Sequence, residues 1–235
     1  MHVVELYHNV AGLSDDVLRC LGKEFSTMDH NPAPTAIPSG KIIVQLPGNI
    51  AIREYTYDDS QSLSHHGNTR KVWDQLRNRM PHPYTEAAAK AWITHCLDPT
   101  LFVRSGKWTP ETGSQGPAIA TSFAIVVDGE AAGSIGLEFG DADDIYFRTA
   151  EVGYWLSPAH WGKGIMSRLL PAFVQWAWET FGVLIRVSAE TAESNPASGQ
   201  VLQKAGFALE GRRPDMACKN GVVTAELMWG VLRPR

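Results

Sequence analysis

A chain of 235 residues, 44% hydrophobic and 20% charged, has the balance of a globular protein, with room for one compact domain and an extension. Its net charge of −4, with Lys and Arg scattered rather than massed, speaks against nucleic acid as the main partner. No run approaches the roughly 20 apolar residues of a membrane-spanning helix. The first ten residues read as neither a secretory leader nor a transit peptide. Three widely spaced cysteines (Cys20, Cys96 and Cys218) form no metal spacing and no disulfide framework. A cytoplasmic protein without a metal or a membrane partner is therefore expected.

In chain order, residues 13–25 read as a short helix opened by Ser14, Asp15 and Asp16, whose side chains suit bare N–H groups and the helix dipole. The proline-rich stretch 31–40 separates that helix from the rest, so residues 1–40 are expected to form an extension and 41–235 the main domain. Residues 41–46 and 50–57 read as strands joined by a Pro-Gly turn, and 56–68 and 70–79 as helices. Pro81 and Pro83 break the run, and Thr85 and Glu86 start a helix with Ala88, Ala91, Trp92 and Cys96 on its apolar face. Residues 107–115 read as a polar loop. A meander follows: strands 122–127 and 132–139 flank the turn signal Asp128-Gly129-Glu130, and 151–156 is a third strand. Residues 165–180 form a helix with Ile165, Leu169, Phe173 and Ala177 on one face, and Pro171 predicts a kink or a locally loosened turn. The chain closes with a strand over 183–190, a helix over 196–205, and strands over 207–210 and 222–232. This order predicts an α+β or mixed α/β fold rather than a doubly wound sheet.

The chemically informative stretch is Val152-Gly153-Tyr154-Trp155-Leu156-Ser157-Pro158-Ala159-His160-Trp161-Gly162-Lys163-Gly164-Ile165-Met166. A strand runs into a turn, a Gly-x-Gly loop and a helix start, where unpaired N–H groups and the dipole favour an anion such as a pyrophosphate. A phosphate loop of the Walker type would need Ser or Thr after Lys163, and a dinucleotide fingerprint would need glycine at Ser167. Alone, Gly-x-Gly is also an ordinary tight turn.

Residues 151–166 resemble the acetyl-CoA signature of the GNAT superfamily of N-acetyltransferases, Gln/Arg-x-x-Gly-x-Gly/Ala. Trp161 replaces Gln/Arg and Met166 replaces the final Gly/Ala. The Trp-Gly-Lys-Gly run is similar to the RimJ/RimL-like branch, as are the downstream Asn195-Pro196-Ala197-Ser198 and residues 201–211. Upstream, Met80-Pro81-His82-Pro83-Tyr84-Thr85 resembles a further segment of that branch. The likeness covers about residues 50–232.

It implies the GNAT fold, a mixed and mostly antiparallel sheet that splays between two parallel strands. Acetyl-CoA would lie in the splay as co-substrate, its pantetheine arm bonded to the backbone of Trp155 and Leu156. The pyrophosphate would rest on Gly162, Lys163, Gly164, Ile165, Met166 and Ser167, with Ser157 and Trp161 also binding the cofactor. The reaction implied is direct attack of a neutral primary amine (a protein N-terminus or a small molecule) on the thioester. Glu151 is the first candidate base and Asp215, in a loop before the last strand, the second. Ser198 is the candidate proton donor to the leaving thiolate, and Asn195 both caps its helix and touches pantetheine. No helical tyrosine stands ready for the donor role, so water is the alternative donor. His82 and Tyr84 are expected at the acceptor mouth. Bulky Met166 and Trp155 favour acetyl over a longer acyl group. A non-catalytic acyl-CoA-binding module shares the loop and stays open, as do a monomer and a homodimer.

Overall fold

A computed structural model describes residues 40–235. The helix expected over 13–25, Cys20 and most of the proline-rich stretch lie outside these residues.

One eight-stranded sheet organises the domain: β1 (Ile42–Leu46), β2 (Ile50–Arg53), β3 (Ser122–Val127), β4 (Glu130–Phe139), β5 (Thr149–Leu156), β6 (Arg186–Ala192), β7 (Ala208–Lys219) and β8 (Val222–Leu232). The spatial order is β1-β2-β3-β4-β5-β6-β8-β7. Every neighbouring pair is antiparallel except β5 and β6. The meander forms because β3 and β4 alternate around Asp128 and Gly129, both at positive φ (52° and 90°), as a tight hairpin turn demands. The parallel pair needs a crossover, which α4 (Ile165–Thr180) supplies.

Helices cover both faces. On one, α4 presses Ile165, Leu169, Phe173 and Ala177 into the main core with Phe123, Ile135 and Leu184. The helix runs unbroken through Pro171, whose missing N–H forfeits only the bond to the Ser167 carbonyl. The short α5 (Pro196–Lys204) lies beside it, capped by Asn195, whose Oδ1 accepts from the Ser198 N–H at 3.2 Å. On the other face α1 (Asp59–Gly67) and α3 (Glu86–Cys96) enclose a second core of Tyr55, Leu63, Tyr84, Ala89, Ile93 and Cys96. Thr85 caps α3, and Asp59 in the first turn of α1 takes a bidentate pair of bonds from Arg53 at 2.6 and 2.7 Å.

Besides the unbroken helix at Pro171, the strand expected over 50–57 ends at Arg53, and other elements also depart from expectation. Only α2 (Arg70–Trp73) is helical within 70–79. Beyond it the chain is held by tertiary contacts: the Trp73 indole donates to the Met80 carbonyl, and Lys219 at the β7–β8 turn lies 3.5 Å over the Trp73 ring and donates to Leu76 O and Asn78 Oδ1. Strand β7 spans 12 residues rather than four, because Gly211 and Pro214 are absorbed at register shifts on the sheet's edge, where a missing N–H is tolerated. The polar loop 107–115 contains a two-residue ladder, Trp108–Thr109 with Gly113–Ser114.

Candidate active site

Parallel pairing between β5 and β6 lasts three residues, from Thr149↔Arg186 to Glu151↔Ser188. Beyond it β6 continues against β8, and β5 continues against β4 alone. The β6-facing edge of residues 152–156 is therefore open. Ser157 N–H donates to the Ala132 carbonyl on β4, so strand alternation turns the amide groups of Trp155 toward β4 and those of Tyr154 and Leu156 toward the opening. The edge that an extended ligand can read thus carries Tyr154 and Leu156, not Trp155. The Leu156 carbonyl already accepts from the Trp161 indole at 2.7 Å, which leaves its N–H as the donor facing the gap.

The loop after β5 is shaped by its glycines. Gly162 and Gly164 hold φ of 72° and 68°, a region that other residues reach only with strain, and a Cβ at either would meet nothing within 4 Å. The glycines are therefore needed for backbone direction rather than for packing. Gly164 is the N-cap of α4 and provides no side-chain cap, so the first N–H groups of the helix face the exposed loop. Open space, unpaired donors and a helix dipole fit a pyrophosphate. Lys163 is exposed beside them.

Several side chains assigned to the loop are engaged elsewhere. Ile165 and Met166 are buried in the main core, so only their backbone faces the loop. Ser157 is buried, and its hydroxyl lies 3.0 Å from Nδ1 of His66, whose Nε2 lies 3.1 Å from Glu130. Trp161 acts as a staple between the loop and β5.

On the α1 and α3 face, Glu151 stands at the point where the strands part. Burial raises its carboxyl above the ordinary glutamate value, Arg77 opposes this, and the nearby carboxylates of Glu190 and Glu138 add to it. Arg77 reaches Glu151 at 3.0 Å and Glu190 at 2.6 Å, and so spans the gap from β5 to β6. Arg213 joins Glu190 and Glu226, and Arg79 joins Glu138. Asp215 is not in a loop before the last strand. It lies within β7 at an irregularity, exposed and at positive φ (52°). Tyr84 is 4% exposed and packs in the second core, whereas His82 is exposed and tilts against Trp73 with ring centroids 5.4 Å apart.

On the α5 side of the opening, Ser198 Oγ lies 2.8 Å from the Tyr154 hydroxyl. Ser198 is expected from the sequence; Tyr154, Arg77, Glu190 and His66 are not. Strand alternation was the available signal for Tyr154, because it shares a sheet face with Leu156. Among the described residues no group of three or more His, Cys, Asp or Glu side chains could hold a metal ion, and no helix is long and apolar enough to cross a membrane.

Residues 49–208 match the family model described as "Acetyltransferase (GNAT) domain". The chain belongs to the GNAT acetyltransferase family. It is 34% identical over 128 residues to a ribosomal-protein-serine acetyltransferase of Escherichia coli, an alignment covering 52% of this chain and 69% of that protein. A Bacillus subtilis protein described as "Probable N-acetyltransferase YjcK" is 37% identical over 87 residues, 37% of this chain and 48% of that one. Among solved structures, RimL, a ribosomal L7/L12 alpha-N-protein acetyltransferase in complex with coenzyme A, superposes with a TM-score of 0.61 at 20% identity, covering 82% of this chain and 98% of that one. Ribosomal-protein-S5-alanine acetyltransferase from Vibrio fischeri gives 0.63 at 18% identity, over 81% and 98%. The family match and the 34% identical relative make the chain a GNAT acetyltransferase, and the solved structures share its fold. The mixed sheet with one parallel pair and helices on both faces is the GNAT fold.

Proposed function

We propose that this GNAT enzyme transfers the acetyl group of acetyl-CoA directly to a primary amine in a ternary complex, with a protein N-terminus as the favoured acceptor. The observation that carries the geometry is the end of parallel pairing at Glu151 and Ser188, which opens the β5 edge beside the glycine loop. The pantetheine arm completes that edge through Tyr154, the Leu156 N–H faces the thioester end, the N–H groups of residues 165–167 hold the pyrophosphate, and Asn195 flanks the arm from the start of α5. The ribosomal-protein-serine acetyltransferase likeness favours the N-terminal acceptor. The buried free thiol of Cys96 suits a cytoplasmic setting.

The acceptor approaches from the face holding Glu151, with exposed His82 at its rim. An alkylammonium is mostly protonated near neutral pH, so Glu151 takes a proton, through water, before attack. Its raised affinity for protons matches that task. Nitrogen bonds the thioester carbon, the Leu156 N–H stabilises the negative carbonyl oxygen, and the carbon–sulfur bond breaks with its electron pair going to sulfur. Ser198 then donates a hydrogen bond to the thiolate, and the second nitrogen proton leaves to water as the amide forms.

Calorimetric titration with acetyl-CoA, with NADH and ATP as controls, tests the site. Saturable binding of acetyl-CoA alone supports it, and no binding near millimolar concentration removes the pyrophosphate-loop reading. With binding established, acceptor peptides and polyamines separate an N-terminal acetylase from a small-molecule enzyme.

A further inference from the structure

Tyr154 and Ser198 come from elements on opposite sides of the gap. Tyr154 is on β5, where β6 no longer pairs with it, and Ser198 is in the first turn of α5, the helix that follows β6. Their hydroxyls meet at 2.8 Å, and the phenol also lies 3.4 Å from the Ser198 carbonyl oxygen. We infer that Tyr154 is a positioning residue that polarises the Ser198 hydroxyl toward the departing thiolate, an assignment resting on the acetyl-CoA reading above.

The direction of the bond follows from acidity. A phenol is a far stronger acid than an alkyl alcohol, so the phenol O–H donates and Ser198 Oγ accepts. The Ser198 hydrogen is then free of Tyr154 and turns into the gap. A hydroxyl that accepts one hydrogen bond donates the next more strongly. Burial pushes the phenol up to about 12, so it stays protonated and acts as a donor, not as a source of a transferred proton. The balance is complete without it: the ammonium proton leaves through Glu151 before attack, the second nitrogen proton leaves to water as the amide forms, the electron pair of the carbon–sulfur bond goes to sulfur, and the Ser198 and Tyr154 protons stay on their oxygens while the thiolate is stabilised. Packing alone would also place Tyr154 here, but packing requires only the ring.

The readout is the ionisation of the coenzyme A thiol bound to the whole protein, followed by thiolate absorbance against pH, with affinity measured separately by calorimetry. Tyr154→Phe should reduce the bound thiolate fraction on the rising part of the titration by roughly threefold. Ser198→Ala should reduce it more, and the double variant should match Ser198→Ala, because Tyr154 acts through Ser198. Should Tyr154→Phe fold poorly, 3-fluorotyrosine at position 154, a nearly isosteric and more acidic phenol, should raise the thiolate fraction instead. An unchanged titration with either replacement, or additive effects in the double variant, overturns the assignment while leaving the coenzyme site intact. Failure of the unaltered protein to bind coenzyme A overturns both.

Discussion

At the residue scale, Glu151 is half-buried where the strands part, and burial raises its carboxyl above the usual value. A base works only when ionised, so the rate should fall on the acid side through a pKa above that of an ordinary glutamate. Glu151→Gln should lower kcat by about 10²–10⁴-fold and leave acetyl-CoA affinity within a factor of a few. An unchanged kcat would remove Glu151 as the base without touching the family. Gly164 gives a prediction of a different kind. At φ 68°, Gly164→Ala forces a side chain into the left-handed region at a cost of about 1–2 kcal/mol. Because a Cβ there meets nothing, the loss should come from backbone direction, and thermal unfolding and acetyl-CoA affinity should worsen together.

At the element scale, the bidentate pair between Arg53 on β2 and Asp59 in the first turn of α1 fixes that helix to the sheet. Asp59 is 5% exposed, so Asp59→Asn should cost about 2–3 kcal/mol in denaturant unfolding. Elements with a clear period were legible in the sequence: β3 was expected at its observed residues, α4 with its buried face, and β5 and α5 within two positions. Residues 74–79 were not, because local pattern favoured helix while Met80 and Lys219 hold the chain through contacts invisible to periodicity. Strand β7 runs beyond the expected 207–210 because an edge strand accommodates Gly211 and Pro214. The site divides the same way. The glycine loop is local and could be read directly, whereas Tyr154 with Ser198 joins residues 44 apart, and Arg77 with Glu190 residues 113 apart. The burial of the Met166 and Tyr84 side chains was not legible, because residue type does not show which way a side chain turns.

At the scale of the whole molecule, stability resides where the sheet and α4 meet. Phe173 is fully buried there, edge-on to Phe123 and stacked on Trp176. Phe173→Ala should cost about 3–5 kcal/mol and lower the thermal midpoint, with no change in the pH profile of any activity that remains. The short parallel pairing of β5 and β6 also has a mechanical side. It makes the eight strands two plates, one of five and one of three, sewn together by a seam three residue pairs long. A seam that short can breathe without disturbing either plate, so a guest lying along it joins the halves as an extra stitch. The protein should therefore be stiffer when it carries its coenzyme than when it waits for one.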